Sequence, residues 1–204
     1  MRANRVAHTR LLGRLAPLAA LLLLAASAPG PEAVFTDLSG ALHSRDSGRV
    51  LSCFTRDARV HYARVLEVAR GRAGPNAASG FTHSDRALVR ALKRRAPEMI
   101  AEAKSLDALA ARGARERDDW NSEVKRLQMN AVETSTGRAN GLLSVDGSPT
   151  PVVLAMVREE GRWRIHRVSS PLLAPEAVRL SAALLGVSEE QVVDGFVDRL
   201  LEAR

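Results

Sequence analysis

The apolar positions of the chain fall into stretches of different period. From about residue 32 to residue 112 they recur at helical spacing. Val34, Phe35, Leu38 and Leu42 mark a first helix over 32–44, and Arg45-Asp46-Ser47-Gly48 turns the chain. A short helix with Val50, Leu51 and Phe54 follows. Thr55 or Asp57 can cap the next segment, where Val60, Ala63, Leu66 or Val65, and Ala69 predict a helix to about Arg70. The weak alternation of Ala58-Arg59-Val60-His61-Tyr62 keeps a strand as the second reading there. Gly71 to Gly80 is loop. Thr82 or Ser84 opens a helix through Leu88, Val89 and Leu92. Pro97 ends that helix and opens another, with Met99, Ile100, Ala103 and Leu106 on one side, which fades near Arg112-Gly113.

From Ser122 the period becomes two. Leu127, Met129 and Ala131 alternate with polar residues, and Gly137 marks a turn. Ala139, Gly141, Leu143 and Val145 alternate next, and Asp146-Gly147 is a hairpin signal. Pro151 to Arg158 predicts a third strand, apolar on both faces. After Glu160-Gly161, Trp163 and Ile165 alternate in a fourth strand that ends near Ser169. Short turns between four strands give an antiparallel meander, and the preceding helices can cover one of its faces. Beyond Pro171 to Pro175 two more helices are predicted. The first holds Val178, Leu180, Leu184 and Leu185 and stops at Gly186. The second begins at Ser188, with Gln191 three residues on as in a capping box. Its stripe of Val192, Val193, Phe196, Val197, Leu200 and Leu201 is expected to close the second face of the sheet, with a partner protein as the other possibility. The fold class is therefore α+β: N-terminal helices packed on a four-stranded antiparallel meander sheet, with two C-terminal helices.

The last hairpin, Val157 to Val168, reads Val-Arg-Glu-Glu-Gly-Arg-Trp-Arg-Ile-His-Arg-Val. With helices before a curved antiparallel sheet, and with the segment from Ala41 to Phe54, it resembles the nuclear-transport-factor-two-like and cystatin-like superfamily. The resemblance covers roughly residues 32–170. It implies a cone-like domain with a hollow between sheet and helices, in a superfamily of isomerases, dehydratases, cyclases and many binding or accessory domains. It selects no function by itself. The organisation expected is a leader over 1–30, an α+β cone-like domain over 31–170 and a helical extension over 171–204.

Charge and composition narrow the functional classes. The chain has 204 residues and a formal net charge of +7. Arg2, Arg5, Arg10 and Arg14 supply four of those charges in a segment without Asp or Glu, so residues 31–204 carry +3. That is ordinary for a folded domain. Aromatics make up 3 % of the chain and no basic stripe or reader motif occurs, which argues against a nucleic-acid partner. The basic n-region, the uncharged run Leu15–Ala28 and the small residues Ala26-Ser27-Ala28 predict a signal peptide and an exported protein, periplasmic or extracellular. The run is shorter than the roughly 20 residues of a membrane-spanning helix, so a membrane would be met only through an uncleaved leader. The single cysteine, Cys53, sits among apolar residues and reads as a small core residue.

Candidate chemistry is sparse. The histidines His43, His61, His83 and His166 are isolated, without metal-ligand spacing, so no metal or other cofactor is expected. Nucleophile elbow, phosphate loop and dinucleotide fingerprint are all missing. His61 lies four residues after Asp57, a spacing that shares one helical face, and is the candidate for a His–carboxylate pair. Tyr62 is either a half-exposed helix residue or a cavity-lining hydroxyl, and Trp120 is either a core plug or a pocket wall. His61, Tyr62 and Trp120 are thus the candidate binding residues. The expected function is an exported, non-enzymatic domain for a small apolar ligand or an envelope protein partner, the latter met through the C-terminal helix. The alternative is a cavity enzyme, an isomerase, cyclase or dehydratase, in which His61 or His166 works with a carboxylate.

Overall fold

The two-residue turns of the sheet are fixed by their own chemistry. Asp146-Gly147 and Glu160-Gly161 take positive φ at both positions (51° and 79°; 51° and 78°), the geometry whose twist matches antiparallel strands. Together with the turn at Gly137 they link β1 (Leu127–Ser135), β2 (Arg138–Val145), β3 (Ser148–Glu159) and β4 (Arg162–Ser169). The strands pair in chain order, β1-β2-β3-β4, which is the expected antiparallel meander. This computed structural model describes residues 29–74, 76–95, 97–115 and 125–202.

The third strand starts at Ser148 rather than Pro151. Pro149 and Pro151 fit inside it because β4 pairs with β3 only from Val153 onward, so the missing N–H groups fall where one edge is unpaired. A bulge between Ala155 and Met156 leaves His166 as the extra residue opposite. The free edge of β4 is partly closed by Phe54, which forms one parallel bridge with Ile165. The Thr55 and Ile165 amides donate to the Ile165 and Cys53 carbonyls at 3.0 and 2.8 Å.

One face of the sheet carries the main core. Ala139, Leu154, Met156 and Ile165 are buried with Val34 and Cys53, and Phe35, Leu38, Met129 and Trp163 pack around them. The cover is α1 (Pro31–His43) with the end of α2 (Ser47–Ser52). Thr55, rather than Asp57, caps α3 (Arg56–Ala69), where its hydroxyl accepts the Ala58 amide at 3.1 Å. This segment is helix, so the strand reading falls. A second cluster joins Val65, Leu66 and Ala69 of α3 to Phe81, to Val89 of α4 (His83–Arg95) and to Ile100 of α5 (Pro97–Glu102). The single helix expected after Pro97 is two. Ser105 accepts the Ala108 amide at 3.1 Å and starts α6 (Leu106–Arg115) afresh, because a serine hydroxyl offers the backbone a cap in place of a continuing turn.

After a 3-10 turn (Pro171–Leu173) come α7 (Pro175–Leu185) and α8 (Glu189–Glu202). Gly186, at φ 66°, ends α7. Ser188 and Gln191 exchange the two bonds of the expected capping box, at 2.9 and 3.2 Å. The stripe of α8 does not close the second face of the sheet. Val193 and Val197 are buried against Ala87 of α4, with Leu173 and Val178. Charges set the register of that contact. Arg86 and Arg90 pair with Glu190, Arg90 and Arg94 with Asp194, and Arg94 with Asp198. Exposed pairs of this kind add only a few tenths of a kcal/mol each, but matched four-residue spacing on both helices fixes which turns meet. The described residues from Pro31 onward form one compact unit, C-terminal helices included.

Candidate functional site

Two polar features adjoin where α3, α4 and β4 meet. The first is buried. Thr82 and Asp85 form a reciprocal cap at the start of α4. The Asp85 amide donates to Thr82 Oγ1 at 3.2 Å, while the Thr82 amide and hydroxyl donate to Asp85 Oδ2 at 2.9 and 2.8 Å. The Asp85 carboxylate is only 2 % exposed. His61 Nε2 lies 2.8 Å from Oδ1, and Arg167 Nη1 lies 3.3 Å from Oδ2. Burial alone would raise the affinity of this carboxyl for a proton. The hydrogen bonds from His61 and Thr82 outweigh burial and hold it below the usual aspartate range. Arg167 Nη1 is also 3.1 Å from His61 Nε2. A ring nitrogen that donates to Asp85 cannot accept from Arg167, so that approach is a contact and the carboxylate is the hub.

Tyr62 completes the junction. Its hydroxyl accepts the Val168 amide at 2.8 Å, which ties α3 to β4, and burial pushes its phenol up. Its ring and that of Phe81 flank His61, with centroids 5.3 and 5.8 Å away.

The second feature is the open face of the sheet. Glu133, Asn140, Ala155 and Arg167 form one row across all four strands, and Leu142, Val153 and Ser169 form the next. Leu142, Val153, Ala155 and Val157 are half-buried, and Asn140 and Glu133 are exposed. Two depressions of about 750 and about 580 Å³ lie on this face and share Glu133 and Asn140. The larger is edged by Thr55, Asp57, Arg138, Arg158 and His166. The smaller is edged by Thr82, Ser84, Arg167, Ser170 and the Pro171–Pro175 turn. Ser170 Oγ is buried there without a hydrogen-bond partner among the described residues. Arg167 belongs to both features, since it reaches Asp85 and lines the groove.

The structure brings together some of the expected residues and separates others. The carboxylate beside His61 is Asp85, not Asp57, which lies at the groove with His166. His61 and Tyr62 belong to the junction and line neither depression. Trp120 lies outside the described residues. Cys53 is buried, and burial foremost pushes its thiol up to about 11, which leaves it unreactive near neutral pH. Among the described residues no group of three potential ligands could hold a metal ion, and no helix is long and apolar enough to cross a membrane. Compared with protein families and with curated proteins, the sequence matches none of them.

Asp85, Arg167, Glu133 and Asn140 were missed from sequence. Thr82-His83-Ser84-Asp85 carries a capping-box pattern that was available. The row across the strands needs the register, and the register includes a bulge that composition does not reveal.

Proposed function

We propose that the protein is an exported, non-enzymatic binding domain whose ligand lies along the open face of the sheet. The ligand class that fits is an elongated amphiphile, with an apolar body over Leu142, Val153, Ala155 and Val157 and a charged end. The observation that carries this reading is the apolar strip of Val153, Ala155 and Val157 along the open face of β3, with Leu142 paired to Val153. No described helix flank covers it; helix starts and turns only edge the two depressions. Arg138 and Arg158 at one end and Arg167 at the other offer charge-assisted bonds to an anionic head. The basic, then apolar, leader supports export.

A thermal-shift titration with dodecanoate tests it. Ligand that binds only the folded state raises Tm with concentration. The rise is expected in the parent protein and lost in Ala155→Trp, which fills the strip without touching the covered core. An equal rise in both proteins would remove the sheet face as the site.

A second reading, a cavity enzyme, is favoured by the 2.8 Å His61–Asp85 pair. Against it, Asp85 is already saturated by Thr82, His61 and Arg167, and His61 lines neither depression. The pair reads as a structural clamp. In an enzyme of this design His61→Gln would abolish turnover while dodecanoate binding persists.

A further inference from the structure

Four leucines stand together in water at the C-terminal end of the fold. Leu172 is 57 % exposed, and Leu180, Leu184 and Leu185 of α7 are 62, 76 and 69 % exposed. Leu180 and Leu184 sit four residues apart and form one ridge on the helix. Beside it runs a groove of about 810 Å³ between α7 and α8, lined chiefly by Leu184, Leu185, Val187, Val192 and Phe196. Gly195 is part of its wall, and a Cβ added there would meet nothing within 4 Å. A glycine inside a helix is less favourable than alanine; here it leaves that stretch of the groove wall without a side chain.

Area and charge decide what covers this patch. With Val187, the four leucines expose roughly 500 Å² of apolar surface, at the upper end of what a monomer tolerates. That is more than half of the about 800 Å² per partner in a stable protein complex. The surrounding charges have both signs. Arg199 lines the groove, Arg179 pairs with Glu176 at 3.4 Å, and Glu190, Asp194 and Asp198 are turned to the arginines of α4. A rim without an excess of positive charge does not suit an anionic lipid surface. Ridge and groove lie on the same face of the same molecule, as a self-complementary interface requires. We propose that this face joins two copies of the chain about a two-fold axis, the Leu180–Leu184 ridge of each copy seated in the α7–α8 groove of the other. This does not depend on what the sheet face binds.

Sedimentation of the purified chain at micromolar concentration tests the proposal. The expected mass is that of two chains. Leu184→Glu, which puts a charge on the ridge, and Gly195→Leu, which fills the groove from the other side, are each expected to reduce it to one chain with the native circular-dichroism spectrum retained. Leu184→Cys supplies a further test because Cys53 is buried. Mild oxidation is expected to cross-link Leu184→Cys into a covalent dimer and to leave Val60→Cys, on exposed α3 surface, monomeric. A parent chain that is monomeric at that concentration would overturn the proposal, as would a dimer that survives both substitutions. Co-sedimentation with phosphatidylglycerol vesicles in place of self-association would give the patch to a membrane instead. Should either substituted chain fail to fold, the cross-link decides alone.

Discussion

On one side of the sheet, Leu154, Met156 and Ile165 lie under α1 and are almost wholly out of water. On the other side, one residue along each strand, Leu142, Val153 and Val157 remain half-buried beside Asn140, Glu133 and Arg138. The same strands build both faces, and β3 is apolar on each. The covered face is closely packed: a Cβ on Gly141 would stand 2.3 Å from Met129 Sδ. The open face ends in two depressions. Apolar residues on both faces of a strand therefore do not require two covers. The apolar strip on the open face of β3 stays half-buried, and the described helices are packed elsewhere.

The comparison is sharpest at Ile165. Truncation to alanine is expected to cost about 4 kcal/mol, the range for a fully buried aliphatic side chain. Val153→Ala on the open face should cost less than about 1 kcal/mol, since a half-buried methyl pair leaves no sealed cavity. Chemical denaturation of both variants checks this, and equal losses would mean that the open face is roofed after all.

Next in size is the junction at the groove's end. Asp85→Asn leaves Arg167 and His61 beside a neutral amide and should cost about 3 kcal/mol at neutral pH. The pH dependence follows from the lowered carboxyl of Asp85. The unfolded chain binds this proton more tightly than the folded one. The stability Asp85 contributes is thus complete above the unfolded value near 3.8 and drains away as the pH falls through the lower folded value. The gap between parent and Asp85→Asn should be constant from neutrality to about pH 5 and shrink below about pH 4. A gap that keeps its full size far below pH 4 would contradict the lowered Asp85 carboxyl.

Two glycines give the smallest and most diagnostic pair. Gly141→Ala on the covered face should destabilise by about 1–2 kcal/mol, because Met129 and Met156 must move aside. Gly195→Ala on α8, with open space above it, should stabilise by about 0.5–1 kcal/mol. If both changes had the same sign, the contrast between filled and unfilled faces would be wrong at one of them.

Local chemistry was legible in the sequence and long-range pairing was not. The turns at Gly137, Gly147 and Gly161, the meander, the stop at Gly186 and the cap at Ser188 follow from residues within a few positions of one another. The break before α6 was masked by an apolar series that runs through Ser105. The partner of His61 lies 24 residues away, and spacing favoured Asp57 only because it is near. The apolar stripe of α8 states that it is covered, not by what, and its cover is α4 rather than the sheet. The matching charges were present, Arg86, Arg90 and Arg94 against Glu190, Asp194 and Asp198, and their common four-residue step would have pointed to α4.

The most direct measurement is a methyl-detected NMR titration of the protein with dodecanoate. Binding as proposed shifts Leu142, Val153, Ala155 and Val157 together, saturably, while Leu154, Met156 and Ile165 stay in place. Shifts confined to Leu180, Leu184 and Leu185, or none at any site, would contradict the assignment of the open sheet face as the binding surface.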